Sequence, residues 1–193
     1  MKLKILMVND DVKRAALIEG ALRQASYDIS SHLKTSDDLL EKVESDNPDA
    51  IVIDIEIPKQ EYLDQIKAVN EKFPKPVVMF AESSGGSDTI ETVVKAGVHA
   101  YIVDGLEGKR VQAIVETAVI RFKEYQSLRK ELIETKATLE ERKKIERAKG
   151  LLMEKHNMKE QEAFQTLRKM AMDQNKKMGD VAENIIAMFK FIK

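Results

Sequence analysis

The chain of 193 residues contains no cysteine and no tryptophan, and only four prolines. Without cysteine it has neither disulfides nor thiolate metal ligands, which is typical of proteins from a reducing compartment. No apolar stretch approaches the roughly 18 residues needed to cross a bilayer, and the run at residues 1–8, which contains Lys2 and Lys4, is too short for a signal-peptide core. We therefore expect a cytoplasmic protein without a membrane span.

Charge is unevenly distributed along the chain. From Glu141 onward there are 13 Lys and Arg against 8 Asp and Glu, a net charge of +5, whereas residues 1–140 carry 19 against 25, a net charge of −6. A local excess of cations on an otherwise acidic chain is typical of a segment that binds an anionic partner. The sequence therefore predicts that the C-terminal segment meets an anion.

Short apolar runs alternate with helical patterns over the first 120 residues. Five strands alternating with five helices predict an α/β fold, a doubly wound parallel sheet of five strands covered on both faces. The predicted strands occupy residues 3–8, 28–31, 50–54, 77–80 and 100–103. The predicted helices occupy residues 11–25, 36–45, 62–73 and 87–96, and a fifth begins at residue 107.

In a doubly wound fold, ligands bind beyond the carboxyl ends of the strands. The residues at these ends are Asn9, Asp10, Asp11, Asp54, residues 81–84 and Asp104. Clustered carboxylates bind Mg²⁺, which offsets the charge of a phosphoryl group. An Asp after a strand also commonly begins a turn or caps the next helix, and for Asp11 both interpretations stay open.

Residues 1–122 resemble the receiver domain of two-component response regulators. The resemblance rests on residues 5–11, 49–54, 57–58, 76–79, 96–97 and 100–101. It implies that Asp54 is the phosphoacceptor and that Mg²⁺ is held by Asp10, Asp54 and the backbone carbonyl of Glu56. It also implies that Tyr101 is a switch residue, although a tyrosine on an edge strand is equally an ordinary packing residue.

Three positions depart from the receiver pattern, which has an acidic pair after the first strand, a Ser or Thr after the fourth and a Lys after the fifth. The last two, the switch positions, hold Ala81 and Asp104 here, and Asn9 replaces one acidic residue of the pair. A carboxylate in place of the lysine adds repulsion where a phosphoryl group brings negative charge. Ser83 or Ser84 is the nearest source of the missing hydroxyl. The sequence thus leaves open whether Asp54 is phosphorylated.

Residues 107–142 contain no proline and one glycine at the start, which predicts a continuous helix. Steps of three and four residues along it give a mostly apolar series: Val111, Ile114, Ala118, Arg121, Tyr125, Leu128, Leu132, Thr135, Leu139 and Arg142. This spacing favours a coiled-coil linker, and hence a homodimer. The alternative is one long helix packed against its own receiver-like domain.

Three amphipathic stripes follow in the basic C-terminal segment. Their apolar positions are Ile145, Ala148 and Leu152, then Ala163, Phe164, Leu167, Met170 and Ala171, then Val181, Ala182, Ile185, Ile186 and Phe189. Asn157 with Glu160 has the pattern of an N-cap that begins the second helix. Because isolated helices of about 12 to 15 residues are marginal in water, the three helices should bury their stripes on one another.

Residues 138–186 resemble the ANTAR domain, the RNA-binding module of bacterial transcription antiterminators. The resemblance rests on residues 145–153, 162–164, 167–168 and 171–172. It implies binding of paired stem-loops in nascent leader RNA, which prevents a terminator hairpin from forming. The cations expected to meet RNA are Arg142, Lys143, Lys144, Arg147, Lys149, Arg168 and Lys176, with Lys169 and Lys177 extending the patch. Phe164 is on the apolar stripe and Phe189 and Phe191 are the other aromatics here, so extensive base stacking is not expected.

Together these features predict a transcription antiterminator with a receiver-like domain (1–122), a helical linker (107–142) and an RNA-binding domain (138–193). Residues 103–106 resemble regulators of nitrate and nitrite assimilation, so the expected protein partner is a histidine kinase or a ligand-sensing protein that sequesters the regulator. A DNA-binding response regulator is the alternative, since three basic helices can also present a recognition helix. Nothing in the sequence has the pattern of a turnover enzyme.

Overall fold

The computed structural model describes residues 2–83 and 86–190, which form five strands and seven helices. The strands are β1 (Lys4–Asn9), β2 (Asp28–Leu33), β3 (Ala50–Ile55), β4 (Val77–Ala81) and β5 (Ala100–Val103). The helices are α1 (Val12–Gln24), α2 (Leu39–Asp46), α3 (Gln60–Lys72), α4 (Ser87–Ala96), α5 (Gly108–His156), α6 (Glu160–Asp173) and α7 (Met178–Lys190). Contacts divide the chain into two units, Met1–Gln126 and Ser127–Lys193. None of the described helices has the length and apolarity to cross a membrane.

The first unit is built on a parallel sheet with the strand order β2-β1-β3-β4-β5. Every residue of β3 and β4 is buried, because helices cover both faces of these central strands. This burial explains why their sequences are continuous apolar runs rather than alternating ones. The predicted fold is confirmed.

Alternate residues of the strands enter two separate cores, as the two-residue period of a strand requires. Leu6 and Ile51 face the core formed with α2, α3 and α4. Ile5 and Val52 face the opposite core, which α1 and the start of α5 complete. These two cores fix the strand ends, and therefore the positions of the residues that follow β1, β3 and β4.

The long helix α5 is used in two ways along its length. Val111, Val115 and Ala118 are buried in the second core, so its first turns pack against the receiver-like unit. The predicted coiled-coil seam is therefore wrong in its first part, since Val111 and Ala118 cannot meet another chain. From residue 127 to residue 143 every side chain is exposed. The apolar seam positions that remain in this stretch are Leu128, Leu132 and Leu139.

The second unit has its own core where the end of α5 meets α6 and α7. Ala148, Leu167 and Ala182 are fully buried in it, as the three stripes predict. The predicted N-cap at Asn157 is wrong, because Asn157 follows the end of α5 in a left-handed conformation with φ of 52°. The N-cap of α6 is Lys159, whose backbone N–H donates to Glu162 Oε2 at 2.9 Å. An Asn tolerates positive φ better than most residues, so it can end a helix as readily as begin one.

Candidate functional site

The carboxyl ends of β1 and β3 bring Asn9 and Asp54 side by side. The two residues are partners in the parallel register, and the Asn9 amide Nδ2 donates to Asp54 Oδ2. Asp54 is only 2% exposed, so its carboxylate must find its hydrogen-bond donors within the protein. Asp54 thus lies near the carboxyl end of β3, beside the end of β1, and its role as phosphoacceptor stays a prediction.

Arg14, from the first turn of α1, supplies most of those donors. Its Nε donates to Asp54 Oδ2 at 2.9 Å and its Nη2 donates to Oδ1, which makes a two-point ion pair. Its Nη1 lies 3.2 Å from Glu82 Oε1. The hydrogen bond with Asp54 raises the pKa of Arg14 above its usual value. Sequence reasoning missed Arg14, although its place three residues after Asp11, in the first turn beyond β1, pointed to this edge of the sheet.

Asp10 and Asp11 have other partners than Asp54. Asp10 accepts hydrogen bonds from the Thr35 backbone N–H at 3.0 Å and from the Thr35 hydroxyl. Asp11 is the N-cap of α1 and accepts from the backbone N–H groups of Lys13 and Arg14 at 2.7 and 3.1 Å. These backbone hydrogen bonds lower the pKa of Asp11. For Asp11 the structure therefore shows the capping interpretation.

The predicted metal ligands do not form a metal site in this arrangement. Asp10, Asp54 and Glu56 line one cleft of about 310 Å³, which Arg14 and Glu82 share. However, Asp10 is engaged by Thr35 and Asp54 by Arg14, and the Glu56 carbonyl accepts the backbone N–H groups of Glu82 and Ser83 at 3.1 Å. Among the described residues no three acidic or histidine side chains are grouped so that they could hold a metal ion. Mg²⁺ would meet a guanidinium where it needs a free carboxylate.

Of the predicted switch residues, Ala81 ends β4, Tyr101 lies on β5 and Asp104 follows β5. Ala81 is buried, and its carbonyl accepts the backbone N–H of Asp104 at 3.0 Å. Asp104 lies in a turn with φ of 47°, a left-handed conformation that Asp adopts more readily than most residues. The Tyr101 ring packs against the first core and burial raises the pKa of its hydroxyl, while its role as a switch residue stays a prediction. Ser83 is exposed beside the cleft, whereas Ser84 lies outside the described residues.

The chemistry available to Asp54 follows from these contacts. A carboxylate oxygen attacks a phosphoryl donor only when its lone pairs are free and the incoming charge is neutralised. Here Arg14 holds both oxygens of Asp54, and Asn9 adds a third donor. Phosphorylation therefore requires the Arg14 pair to open. Once open, the guanidinium is also the nearest cation that could pair with phosphoryl oxygens.

The cations predicted to meet RNA divide into paired and unpaired ones. Lys143 pairs with Glu140 at 2.7 Å, and Lys144 pairs with Glu183 at 2.6 Å. Arg142 and Arg147 are exposed on α5, and within the described part of the chain neither has an ion pair. Exposed pairs are weak enough for a phosphate to displace, so Lys143 and Lys144 stay candidates.

Lys149 is a structural residue rather than a free cation, which corrects its prediction. It is 8% exposed, and its ammonium lies 2.9 Å from both Glu146 Oε1 and Glu160 Oε1. The hydrogen bonds with these two glutamates raise its pKa, that with Glu146 most. The ion pair with Glu160 ties α5 to the first residue of α6.

The expectation for Phe164 is also wrong. Instead of entering the core, Phe164 is 40% exposed and lines a groove together with Arg168 and Lys176, both of which are exposed. Its neighbour Ala163 and the next stripe residue Leu167 are fully buried. An apolar residue at the margin of a helical stripe is exposed when no other element covers it, and sequence spacing does not show where that cover ends.

Two protein families match the chain, one in each part. The response regulator receiver domain matches residues 5–116. The ANTAR domain matches residues 134–186. Asp54 and Arg14 lie in the first match, and the Phe164 groove lies in the second. Both predicted resemblances are confirmed.

Individual relatives agree with this division. The transcriptional regulatory protein PdtaR of Mycobacterium tuberculosis is 31% identical over 183 residues, which is 95% of this chain and 89% of that protein. The nitrate regulatory protein of Klebsiella oxytoca is 46% identical over 65 residues, 34% of this chain and 16% of that protein. The solved receiver domain of a putative Luxo repressor from Vibrio parahaemolyticus matches with a TM-score of 0.56 at 21% identity, covering 66% of this chain and 98% of that one, which shows the fold.

Proposed function

Because the chain belongs to the response regulators that join a receiver domain to an ANTAR domain, we propose that it is a signal-responsive transcription antiterminator. In this proposal the second unit binds stem-loops in nascent leader RNA in the cytoplasm and prevents a terminator hairpin from forming. The observation that carries the proposal is the exposed cationic surface of the unit that matches the ANTAR domain, which includes Arg142, Arg147, Arg168 and Lys176.

The third helix of the second unit argues against a DNA reader. A recognition helix presents polar and cationic side chains to base edges. In α7 the residues Val181, Ala182, Ile185 and Ile186 are buried in the core, and no described residue before Lys190 is basic. The helix therefore has little to offer a major groove. Cations on α5, α6 and the turn after α6 are better placed to meet RNA phosphates.

Crosslinking of the full-length protein to RNA in growing cells, followed by sequencing, tests the function. We expect recovery of leader transcripts with tandem hairpins ahead of a terminator. A matched variant, Arg142→Gln with Arg147→Gln, should recover fewer of them, while Lys130→Gln, which removes a cation from the exposed stretch of α5, should recover as many as the wild type. Recovery of duplex DNA instead of hairpin RNA would contradict the proposal.

We further propose that the chain acts as a homodimer through the exposed part of α5. Leu128, Leu132 and Leu139 are spaced by four and seven residues, the period of a coiled-coil seam, and each is more than half exposed in the single chain. Pairing would bury them and hold two RNA-binding units together. Two tethered units suit a target with two hairpins, because the second contact becomes effectively intramolecular.

For control of the receiver unit we propose a partner protein rather than simple phosphorylation. The support is the Arg14 pair, which closes both oxygens of Asp54, together with Asp104 in place of the receiver lysine. A ligand-sensing protein that sequesters the regulator fits this arrangement better than a histidine kinase does. The similarity to a nitrate regulatory protein suggests nitrogen supply as the signal to test first.

Two measurements separate the forms of control. Acetyl phosphate with Mg²⁺ should leave the intact mass of the wild type unchanged, whereas opening the site with Arg14→Gln should allow some gain of one phosphate; Asp54→Asn is the control in either background. A pull-down from cells grown with and without nitrate should recover a partner that changes with the nutrient. Rapid phosphorylation of the wild type would overturn the proposal of a closed acceptor.

A further inference from the structure

A groove on the second unit combines apolar and cationic side chains in a way that the core does not require. It runs between α6 and the start of α7 and has a volume of about 440 Å³. The residues that line it are Phe164, Arg168, Ala171, Met172, Asn175, Lys176 and Met178. Of these, Phe164, Arg168 and Met172 are spaced by four residues and so share one face of α6.

Two large apolar side chains of the groove are exposed to solvent. Phe164 is 40% exposed and Met172 is 71% exposed, although the neighbouring positions Ala163 and Ala171 belong to the buried core. An aromatic ring and a flexible thioether that are left open to water along one groove are typical of a binding surface.

Two cationic side chains, Arg168 and Lys176, line the same groove as the aromatic ring. Arg168 lies one helical turn after Phe164, and Lys176 follows the left-handed turn at Asn175. Within the described part of the chain, neither Arg168 nor Lys176 has an ion pair, whereas Lys143, Lys144 and Lys149 of α5 each hold a glutamate. Two unneutralised cations at the rim of an apolar groove complement a ligand that is flat, apolar on its faces and linked to phosphates.

We propose that this groove takes one unpaired base of an RNA hairpin loop, stacked on Phe164. This inference rests on the proposed RNA-binding function and names the part of the RNA that the second unit contacts. Arg168 and Lys176 meet the phosphates on either side of the base, and the Asn175 amide faces the base edge. Loops present such bases because they are not held in a helix, while a duplex would offer phosphates alone.

The experiment uses the full-length protein and a pool of short RNA hairpins with randomised loops. From this pool the tightest hairpin is selected, and a second version is made in which single loop positions are abasic. Affinities of the wild type, Phe164→Leu and Phe164→Tyr are measured against both versions at several salt concentrations. Met188→Leu, at an exposed apolar position of α7 outside the groove, is the matched control.

Loss of the aromatic face should weaken binding of the intact loop about tenfold without changing the salt dependence, as removal of one base stack does. Phe164→Tyr should bind like the wild type, and one abasic position should lower wild-type affinity by a similar factor. On that abasic hairpin Phe164→Leu should bind as the wild type does. Arg168→Gln and Lys176→Gln should each lower the slope of log affinity against log salt by about 0.7 to 0.9.

Each contrary result has its own meaning. If the wild type selects hairpins but Phe164→Leu binds them equally well, the stacking site is wrong and the RNA-binding function stands. If Phe164→Leu changes the sedimentation of the free protein, the groove holds a second copy of the chain, which also overturns the site. If the wild type selects no hairpin at all, the proposed function fails and the site fails with it.

Discussion

The ion pair between Arg14 and Asp54 is expected to stabilise the receiver unit. Asp54 is buried and Arg14 is its cation, so Arg14→Gln leaves a buried carboxylate with weaker donors. We expect the receiver unit to lose about 2 kcal/mol in urea unfolding, since hydrogen bonds to charged groups are worth more than neutral ones. Lys13→Gln removes the same charge from the preceding position, where the side chain is exposed, and should have little effect. Equal stability of Arg14→Gln and the wild type would show that the pair contributes nothing.

Tyr62 gives a prediction of the opposite sign. Its ring is buried and its hydroxyl has no hydrogen-bond partner among the described residues, so burial raises its pKa and the hydroxyl keeps an unmet desolvation penalty. Tyr62→Phe keeps the packing and removes that penalty, and we expect an unchanged or higher stability, by up to about 1 kcal/mol. In Tyr27→Phe the lost hydroxyl lies 3.2 Å from Glu116 Oε1, so this control should be slightly destabilised. Destabilisation by Tyr62→Phe would reveal a missing partner.

His99 should make stability depend on pH. Its Nδ1 accepts the Val77 backbone N–H at 3.2 Å, its ring packs edge-on to Phe122, and burial lowers its pKa. Lys109, Arg110 and Arg121 line a cleft together with His99. The unfolded chain therefore binds a proton at higher pH than the folded one, so stability falls as pH drops below about 6.5. His99→Gln should flatten that fall in unfolding curves measured from pH 7.5 to 5.5; an equally steep fall would exclude His99.

At the scale of elements, the sequence predicts what depends on periodicity and misses what depends on neighbours. The predicted strand bounds agree with the structure within two residues, because central strands are continuous apolar runs. The sequence predicts that α2 begins at residue 36, which is too early. In the structure its N-cap is Asp38. The early part of α5 has helical spacing that suits either a seam or a core. Only the strands and the helix α1 that share the second core with it decide for the core.

Two glycines, Gly97 and Gly20, are expected to respond in opposite ways to replacement by alanine. Gly97 ends α4 with φ of 99°, and a Cβ there would lie 1.2 Å from Asn70 Nδ2, whose amide donates to the Ala96 carbonyl. Gly97→Ala should therefore destabilise the receiver unit by about 2 kcal/mol or more. Gly20 lies within α1 with open space around it, and Gly20→Ala should stabilise by about 0.5 to 1 kcal/mol. Thermal unfolding of the two variants checks both signs, and a stable Gly97→Ala would mean that the turn adapts.

At the scale of the whole molecule, the division into two parts is what the sequence predicts best, because the two parts differ in net charge. An acidic first part and a basic second part correspond to the two matched families. Which cation is free depends on partners far along the chain, such as Glu183 for Lys144 and Glu160 for Lys149. No local pattern contains those pairs. For the same reason the ion pair of Arg14 with Asp54 and the exposure of Phe164 are seen only in the folded chain. The first depends on a distant contact, and the second on the absence of a covering element.

The assembly proposed for the whole molecule predicts how one substitution acts on RNA binding. Leu132→Lys places a charge in the α5 seam and should convert the dimer to a monomer in analytical ultracentrifugation. Binding of one hairpin should persist, while an RNA with two hairpins should lose roughly a hundredfold in affinity as avidity disappears. Ile133→Lys introduces the same charge one residue on, about 100° around the helix and away from the seam, and Ile133 is as exposed as Leu132. Equal effects of Leu132→Lys and Ile133→Lys would mean that α5 pairs through no defined seam, and tandem binding would then need another explanation.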